Sequence, residues 1–388
     1  MDNFIFDGAS RVTFGKGAEN SLADDIKRFG GTKVFLHYGM GSIKKSGLYE
    51  KVIKLLKDGG IDFVEQGGVK PNPVISHVRE GIKICRDSKA DFILAVGGGS
   101  VIDSAKAVAV GVPYSGDVWD FAECKVAPKA AIPIGVILTI PAAGSETSRY
   151  SVVTNEDGMW KRDVVNENLE LIRPKFAILN PELTLTLPPY ETACGAVDIL
   201  AHVMERYFSR SKNVDLSDKL CEAVMKSVIK NSPLAIKEPG NYEARAEIMW
   251  AGSVAHNDLI GMGRSGDWVS HRIGVELSAL YDIAHGASLS IALPAWMKYM
   301  YKLYPVIFAK FAVNVWNIEN DFDSVENTAL QGIRRLESFY KEIGMPISLT
   351  DAKLPLDRFE EIAEKCDKIG NIKKIDKNDV LEILKLAI

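Results

Sequence analysis

Asp198 and His202 stand four residues apart in Gly195-Ala196-Val197-Asp198-Ile199-Leu200-Ala201-His202. On a helix that interval stacks two side chains on one face about one turn apart, which suits two ligands of a single ion. A lone D-x-x-x-H pair is also what a surface ion pair or a hydrogen-bonded core histidine looks like. The weight comes from His271 and His285, two of the chain's six histidines, which stand close in sequence in a largely apolar region. On one straight helix they would lie about 21 Å apart, too far to share an ion. They meet only if the chain turns between them. A break near Tyr281-Asp282 would let each of two helices present one imidazole to the Asp198/His202 face. One carboxylate with three imidazoles suits Fe2+ or Zn2+, and that donor set barely separates the two. His37 and His77 read as strand-end, helix-surface or packed histidines. His256, in Ala255-His256-Asn257-Asp258, is a candidate to support a ligand or relay a proton in the same site, and is the one catalytic side chain expected beside the metal.

Glycine signals a second kind of chemistry. Gly97-Gly98-Gly99-Ser100 follows an apolar run ending at Val96 and opens a helical stretch. Glycines there let the backbone approach a diphosphate, whose charge the free N–H groups of a helix N-terminus stabilise. The usual G-x-G-x-x-G fingerprint needs glycine at 102, where Ile102 stands, and the Walker lysine is missing, so neither motif is matched. By itself the triple glycine reads equally well as a tight strand-to-helix turn. Gly39-Met40-Gly41-Ser42 also follows a strand-like run. In dinucleotide-binding domains an acidic residue at such a strand end binds the ribose hydroxyls and repels a 2′-phosphate. Here Tyr38 and Gly39 occupy that place, with Ser42, Lys44 and Lys45 beyond. NADP(H) is therefore expected ahead of NAD(H).

The elements that position these residues fall into two halves. Up to about residue 184, short apolar runs (Lys33–Tyr38, Asp91–Val96, Ile132–Leu138, Phe176–Leu179) alternate with helical stretches (Ser46–Asp58, Val74–Asp87, Val101–Val110), the pattern of βαβ units around a mostly parallel sheet. After Leu187-Pro188-Pro189 the strand signals stop, and long amphipathic stretches such as Glu191–Phe208 and Tyr242–His256 have helical spacing. The expected organisation is an α/β dinucleotide-binding domain over 1–187 and an all-helical metal-binding domain over 188–388. The 388 residues carry 47 basic against 51 acidic side chains, well mixed, so nothing points to nucleic acid or an anionic membrane. Five cysteines form no C-x-x-C pair, and no stretch approaches the roughly 20 apolar residues of a membrane span. A cytoplasmic protein with a small-molecule substrate is expected.

Together these residues resemble the iron-containing (group III) alcohol dehydrogenases, in particular the butanol dehydrogenase and NADPH-dependent aldehyde reductase branch. The carriers are Lys70-Pro71-Asn72-Pro73, the run from Gly97 to Lys106, Thr139-Ile140-Pro141-Ala142-Ala143-Gly144-Ser145-Glu146, Asn180-Pro181-Glu182-Leu183-Thr184, and the Asp198/His202/His271/His285 set. The resemblance implies a dehydroquinate synthase-like fold and metal-dependent hydride transfer between NADP(H) or NAD(H) and a small alcohol or aldehyde such as butanol or butanal. It also implies a homodimer. It places Gly97, Gly98, Gly99 and Ser100 at the diphosphate and Asp103 near the nicotinamide. Gly39, Gly41, Ser42, Asn72, Thr139, Ala143, Ser148 and Lys161 would be further cofactor contacts. Three departures stand out: Ala143 where the family usually has threonine, Ser148 for asparagine, and Val275 where the family commonly has a second histidine in H-x-x-x-H-E-L. Val275 raises a non-catalytic or weakly active relative as an alternative. A dehydroquinate synthase-like lyase is a second alternative, but it needs a basic pocket for a phosphorylated sugar acid.

Overall fold

The computed structural model describes residues 1–8 and 10–388. The chain divides into two compact units, Asp7–Leu187 and a second formed by Pro188–Ile388 with Met1–Phe6.

The first unit is built on strands β1 (Arg11–Phe14), β2 (Lys33–Gly39), β3 (Asp62–Val69), β4 (Phe92–Gly97), β5 (Ile134–Leu138), β6 (Val152–Asn155), β7 (Trp160–Asp163) and β8 (Phe176–Leu179). Six of them form one sheet in the order β1-β8-β5-β4-β2-β3, with every pairing parallel. A parallel sheet covered by helices on both faces needs strands that are apolar throughout, and β4, β5 and β8 are buried along their whole length. Gly135 on β5 makes room for Phe176, its register partner on β8; a Cβ there would lie 2.2 Å from the Phe176 ring. The chain runs outward through β2 and β3 and then returns to β4, so the strand order reverses between β2 and β4. The carboxyl ends of strands flanking such a reversal are where ligands bind in open α/β sheets. Both glycine runs lie there, because Tyr38 pairs with Val96 and the next residues are Gly39 and Gly97.

Two elements of this unit carry no strong sequence signal. β1 is a short strand at the start of the unit, and it pairs with β8 at the unit's far end. β6 and β7 form a separate antiparallel hairpin. His37 is a packed histidine, fully buried within β2. Its Nε2 lies 2.9 Å from Ser104 Oγ and its ring 5.7 Å from that of His77.

In the second unit the long elements are helices, among them Pro189–Tyr207, Asp215–Lys237, Tyr242–His256, Val269–Tyr281, His285–Met300 and Val325–Glu342. Their apolar faces share one core that includes Leu200, Val203, Ile273, Leu289 and Trp296. Pro189 opens its helix at the first turn, where its missing N–H is no loss. From Thr192 to Tyr207 every residue of that helix is buried, so the charged residues it carries lie inside the core, where such groups are rare. The N-terminal residues join this unit: Asp2 N donates to Gly263 O at 2.9 Å, and Ser211 Oγ donates to Asp2 Oδ2 at 2.8 Å.

Candidate active site

The turn required between His271 and His285 is present. The first helix ends at Tyr281, Asp282 adopts a left-handed conformation (φ 51°), and the next helix begins at His285 itself. Gly286 fixes the approach of that second helix to the Pro189–Tyr207 helix, since a Cβ at 286 would sit 2.2 Å from the Cys194 carbonyl oxygen. Only glycine allows the backbones so close.

Asp198, His202, His271 and His285 converge as a result. His202 Nε2 lies 3.4 Å from Asp198 Oδ1, His285 Nε2 lies 4.0 Å from the same oxygen, and the Nε2 atoms of His271 and His285 are 3.3 Å apart. Ligands about 2.1 Å from a tetrahedral ion are separated by roughly 3.4 Å, so these edges match a divalent cation in the middle. The donor set of one carboxylate and three imidazoles fits Fe2+ or Zn2+. His202 is pushed well below its usual pKa, first by burial and then by the nearby His271 and Arg206. The neutral imidazole that a metal needs is therefore the resting form.

Around these four stand residues that spacing alone did not single out. Glu205, fully buried three positions after His202, places Oε2 3.2 Å from His271 Nδ1, while its Oε1 accepts from Ser270 Oγ at 2.9 Å. His202, Glu205 and His271 can also be grouped as a metal-binding triplet. We favour the four-residue set, because both Glu205 oxygens already accept hydrogen bonds on the far side of the His271 ring. His256 is buried with its Nδ1 3.0 Å from His202 Nδ1. Trp268 packs near the rings of His202, His256 and His271, and the Arg206 guanidinium stacks over it at 4.8 Å. Val275 lies one helical turn beyond His271 and is buried. The i+3 position of Glu205 was a signal that could have found it; His256 was a candidate for this site from the sequence, but not its pairing with His202 in particular.

In the first unit, Gly97 to Ser100 form the β4-to-helix turn, and the Gly99–Gly111 helix starts within them. A Cβ on Gly99 would lie 3.8 Å from the Ala143 methyl, and Thr139 N donates to Gly97 O at 3.0 Å, so the segment from Thr139 lies beside the glycine turn. Lys161 on β7 donates to Asn72 Oδ1 at 2.8 Å, which joins two more of the predicted cofactor contacts. Gly41 adopts φ 146°, open to glycine but strained for other residues. Ser42 begins a short helix in which Lys44 leans over the rings of Tyr38 and Tyr49, at 5.1 and 4.7 Å.

Asp103 and Ser148 differ from the rest in that their side chains bond inward. The Asp103 carboxylate accepts from Ser145 Oγ at 2.6 Å and Val152 N at 3.0 Å, and Ser148 Oγ accepts from Lys106 Nζ at 3.2 Å. Lys106, wholly buried, donates in addition to Ser145 O, Ser145 Oγ, Ser148 O and Tyr150 O, between 2.7 and 3.0 Å. This ammonium stitches the 145–150 segment to the helix that carries Ser100. No helix among the described residues is long and apolar enough to cross a membrane.

Comparison with known proteins agrees along the whole chain. Residues 9–181 match the family model of iron-containing alcohol dehydrogenase, and residues 192–388 match that of the C-terminal part of the Fe-containing alcohol dehydrogenase family. The chain is 40% identical to the probable NADH-dependent butanol dehydrogenase 1 of Bacillus subtilis (strain 168), covering 100% of both. It is 34% identical to the NADPH-dependent aldehyde reductase YqhD of Escherichia coli (strain K12), over 98% of this chain and 97% of that protein. Among solved structures, NADH-dependent butanol dehydrogenase A from Thermotoga maritima superimposes with a TM-score of 0.95 at 40% identity, over 100% of this chain and 99% of that one. Neither the lyase nor the non-catalytic alternative finds support in these matches. With its parallel-sheet unit, its helical unit and these relatives, the chain belongs to the iron-containing alcohol dehydrogenase family.

Proposed function

We propose that this protein reversibly transfers a hydride between NADP(H) and a small primary alcohol or aldehyde of the butanol/butanal class, using one divalent ion, Fe2+ or Zn2+, held by Asp198, His202, His271 and His285. The observation that carries this reading is the clustering of these four side chains: Asp198 Oδ1 lies 3.4 and 4.0 Å from Nε2 of His202 and His285, and His285 Nε2 lies 3.3 Å from His271 Nε2. When bound, the ion supplies Lewis-acid polarisation of the carbonyl and stabilises the charge that develops on its oxygen, while the nicotinamide supplies or accepts the hydride. The chain's own part is to hold and orient. Gly97, Gly98, Gly99 and Ser100 take the diphosphate on backbone N–H groups at the start of a 13-residue helix. Thr139, Ala143, Asn72 and Lys161 line the cofactor beside that turn, and Gly39, Gly41 and Ser42 take its ribose end. Asp103 and Ser148 act one step removed, by fixing the 145–152 segment. The proton that completes reduction comes from water.

The choice of NADP(H) over NAD(H) rests on the end of β2, where Tyr38 and Gly39 stand in place of a carboxylate that would repel a 2′-phosphate. Five free cysteines fit a reducing cytoplasm. A homodimer is supported by an apolar Phe4-Ile5-Phe6 run, with Ile5 90% exposed, and by β1 at a sheet edge. The test is purified protein reconstituted with Fe2+ or Zn2+ and assayed with NADPH and NADH on a panel of C2–C8 aldehydes. Oxidation of NADPH with butanal is expected; no oxidation of either cofactor across the panel refutes the proposal.

A further inference from the structure

Each ring nitrogen of a ligating histidine has a task. If Nε2 gives its lone pair to an ion, the ring's proton must sit on Nδ1, and that N–H needs an acceptor when it is buried. Two of the three imidazoles show such an acceptor. His271 Nδ1 faces Glu205 Oε2 at 3.2 Å. His202 Nδ1 faces His256 Nδ1 at 3.0 Å, with the rings nearly perpendicular at 87° and their centroids 4.2 Å apart.

The His202–His256 contact admits one arrangement compatible with ligation. Two nitrogens 3.0 Å apart form a hydrogen bond only if one carries a hydrogen and the other a lone pair. With Nε2 of His202 turned to the ion, Nδ1–H of His202 donates, so His256 accepts at Nδ1 and keeps its own proton on Nε2. The Glu205 carboxylate plays the same part for His271 and is itself fixed. Ser270 Oγ donates to its second oxygen at 2.9 Å, its backbone carbonyl accepts from Asp267 N at 2.7 Å, and a Cβ at Gly266 would come within 2.6 Å of that carbonyl oxygen.

We infer that Glu205 and His256 are positioning residues of the metal centre, each holding one ligand imidazole in the tautomer and orientation that presents Nε2 to the ion. His256 then acts through His202, not as a proton carrier to substrate. The Pro189–Tyr207 helix thereby supplies two ligands and the holder of a third, at positions 198, 202 and 205. This inference rests on the four-ligand reading above.

The experiment reads metal binding, not turnover. Zn2+ affinity is measured by competition with a chromogenic chelator, Co2+-loaded protein by its visible absorption, and the metal-free protein by its Tm. Glu205→Gln and His256→Leu should each weaken Zn2+ binding by about 10- to 100-fold, the usual effect of removing such a partner. Stoichiometry should stay one to one, the Co2+ band of a four-coordinate site should persist, and the metal-free Tm should stay near the parent's. The charged acceptor should matter more than the neutral one. His256→Asn, which restores an acceptor oxygen, should recover most of the affinity. Asp198→Ala tests the underlying reading and should abolish tight binding. If Asp198→Ala loses the ion while Glu205→Gln and His256→Leu bind within twofold of the parent, the positioning roles are overturned and the ligand set stands. If Glu205→Gln fails to bind at all, Glu205 is itself a ligand and the inference falls. Unchanged affinity in Asp198→Ala overturns the four-ligand reading and the inference together.

Discussion

Acid should weaken the sheet unit through one side chain, His37. It is wholly buried on β2, bonded to Ser104 Oγ, and its pKa is lowered to about 3, chiefly by burial and next by the neighbouring His77. In the unfolded chain the same imidazole titrates near its usual value of 6.5. Below pH 6.5 the unfolded state therefore takes up a proton that the folded state refuses. The stability His37 contributes is complete above 6.5 and is lost as pH falls toward 3. One and a half pH units at about 1.4 kcal/mol each give a loss of about 2 kcal/mol at pH 5, and this hardly changes if the folded value is a unit higher. With a urea slope of about 2 kcal/mol per molar, the unfolding midpoint should drop by roughly 1 M between pH 7.5 and pH 5 on this account alone. The assay is urea unfolding of the wild type and His37→Gln at both pH values, followed by the exchange protection of β2 and β4 peptides. Other titrating groups cancel in the difference of differences, which should come to about 2 kcal/mol. Equal acid losses in the two proteins would refute the reasoning, because His37 would then be protonated equally in both states.

Three further outcomes are expected. Val275→His, which puts an imidazole one turn after His271, should raise kcat tenfold or more while leaving Zn2+ affinity near the parent value; an unchanged kcat shows that the position takes no part in proton transfer. Lys106→Met removes the five-contact ammonium beneath the 145–150 segment and should raise the KM for NADPH about tenfold; in the wild type, where burial lowers this lysine's pKa to about 8, that KM should climb between pH 7 and 9 and stay level in the variant. A flat profile in both would detach Lys106 from cofactor binding. Gly286→Ala drives a Cβ into the Cys194 carbonyl, so it should lower the Tm by about 5 °C and cut Zn2+ retention, and calorimetry with metal analysis would show whether the helices yield instead.

The sequence made the alternation of strands and helices in the first half readable, because β2, β4, β5 and β8 are apolar runs of the right length. It concealed β1 and the β6/β7 hairpin, which are short and mixed in polarity. β1 becomes a strand only because β8 offers it an edge. The metal cluster was legible to the extent that distance along a helix is legible. The interval from His271 to His285 excluded one straight helix, and Tyr281-Asp282 offered the break, which the left-handed Asp282 supplies. On the far side of the imidazoles, His256 was nameable as a supporting residue, but which imidazole each partner meets was not. Glu205 meets His271 across 66 positions and His256 meets His202 across 54, and such contacts follow from helix packing, which periodicity does not encode. The same limit hid the inward turn of Asp103 and Ser148.

The bond from Asp2 N to Gly263 O also sets a schedule for synthesis. A ribosome adding about 5–20 residues per second reaches Gly263 roughly 15 to 50 seconds after Asp2. Strands β1 to β8 have all emerged well before then, so the sheet unit can close while Met1 to Phe6 still wait for their place. Phe4-Ile5-Phe6 stays exposed even after that bond has formed, so the schedule governs the docking of Met1 and Asp2 and not the cover of this apolar run.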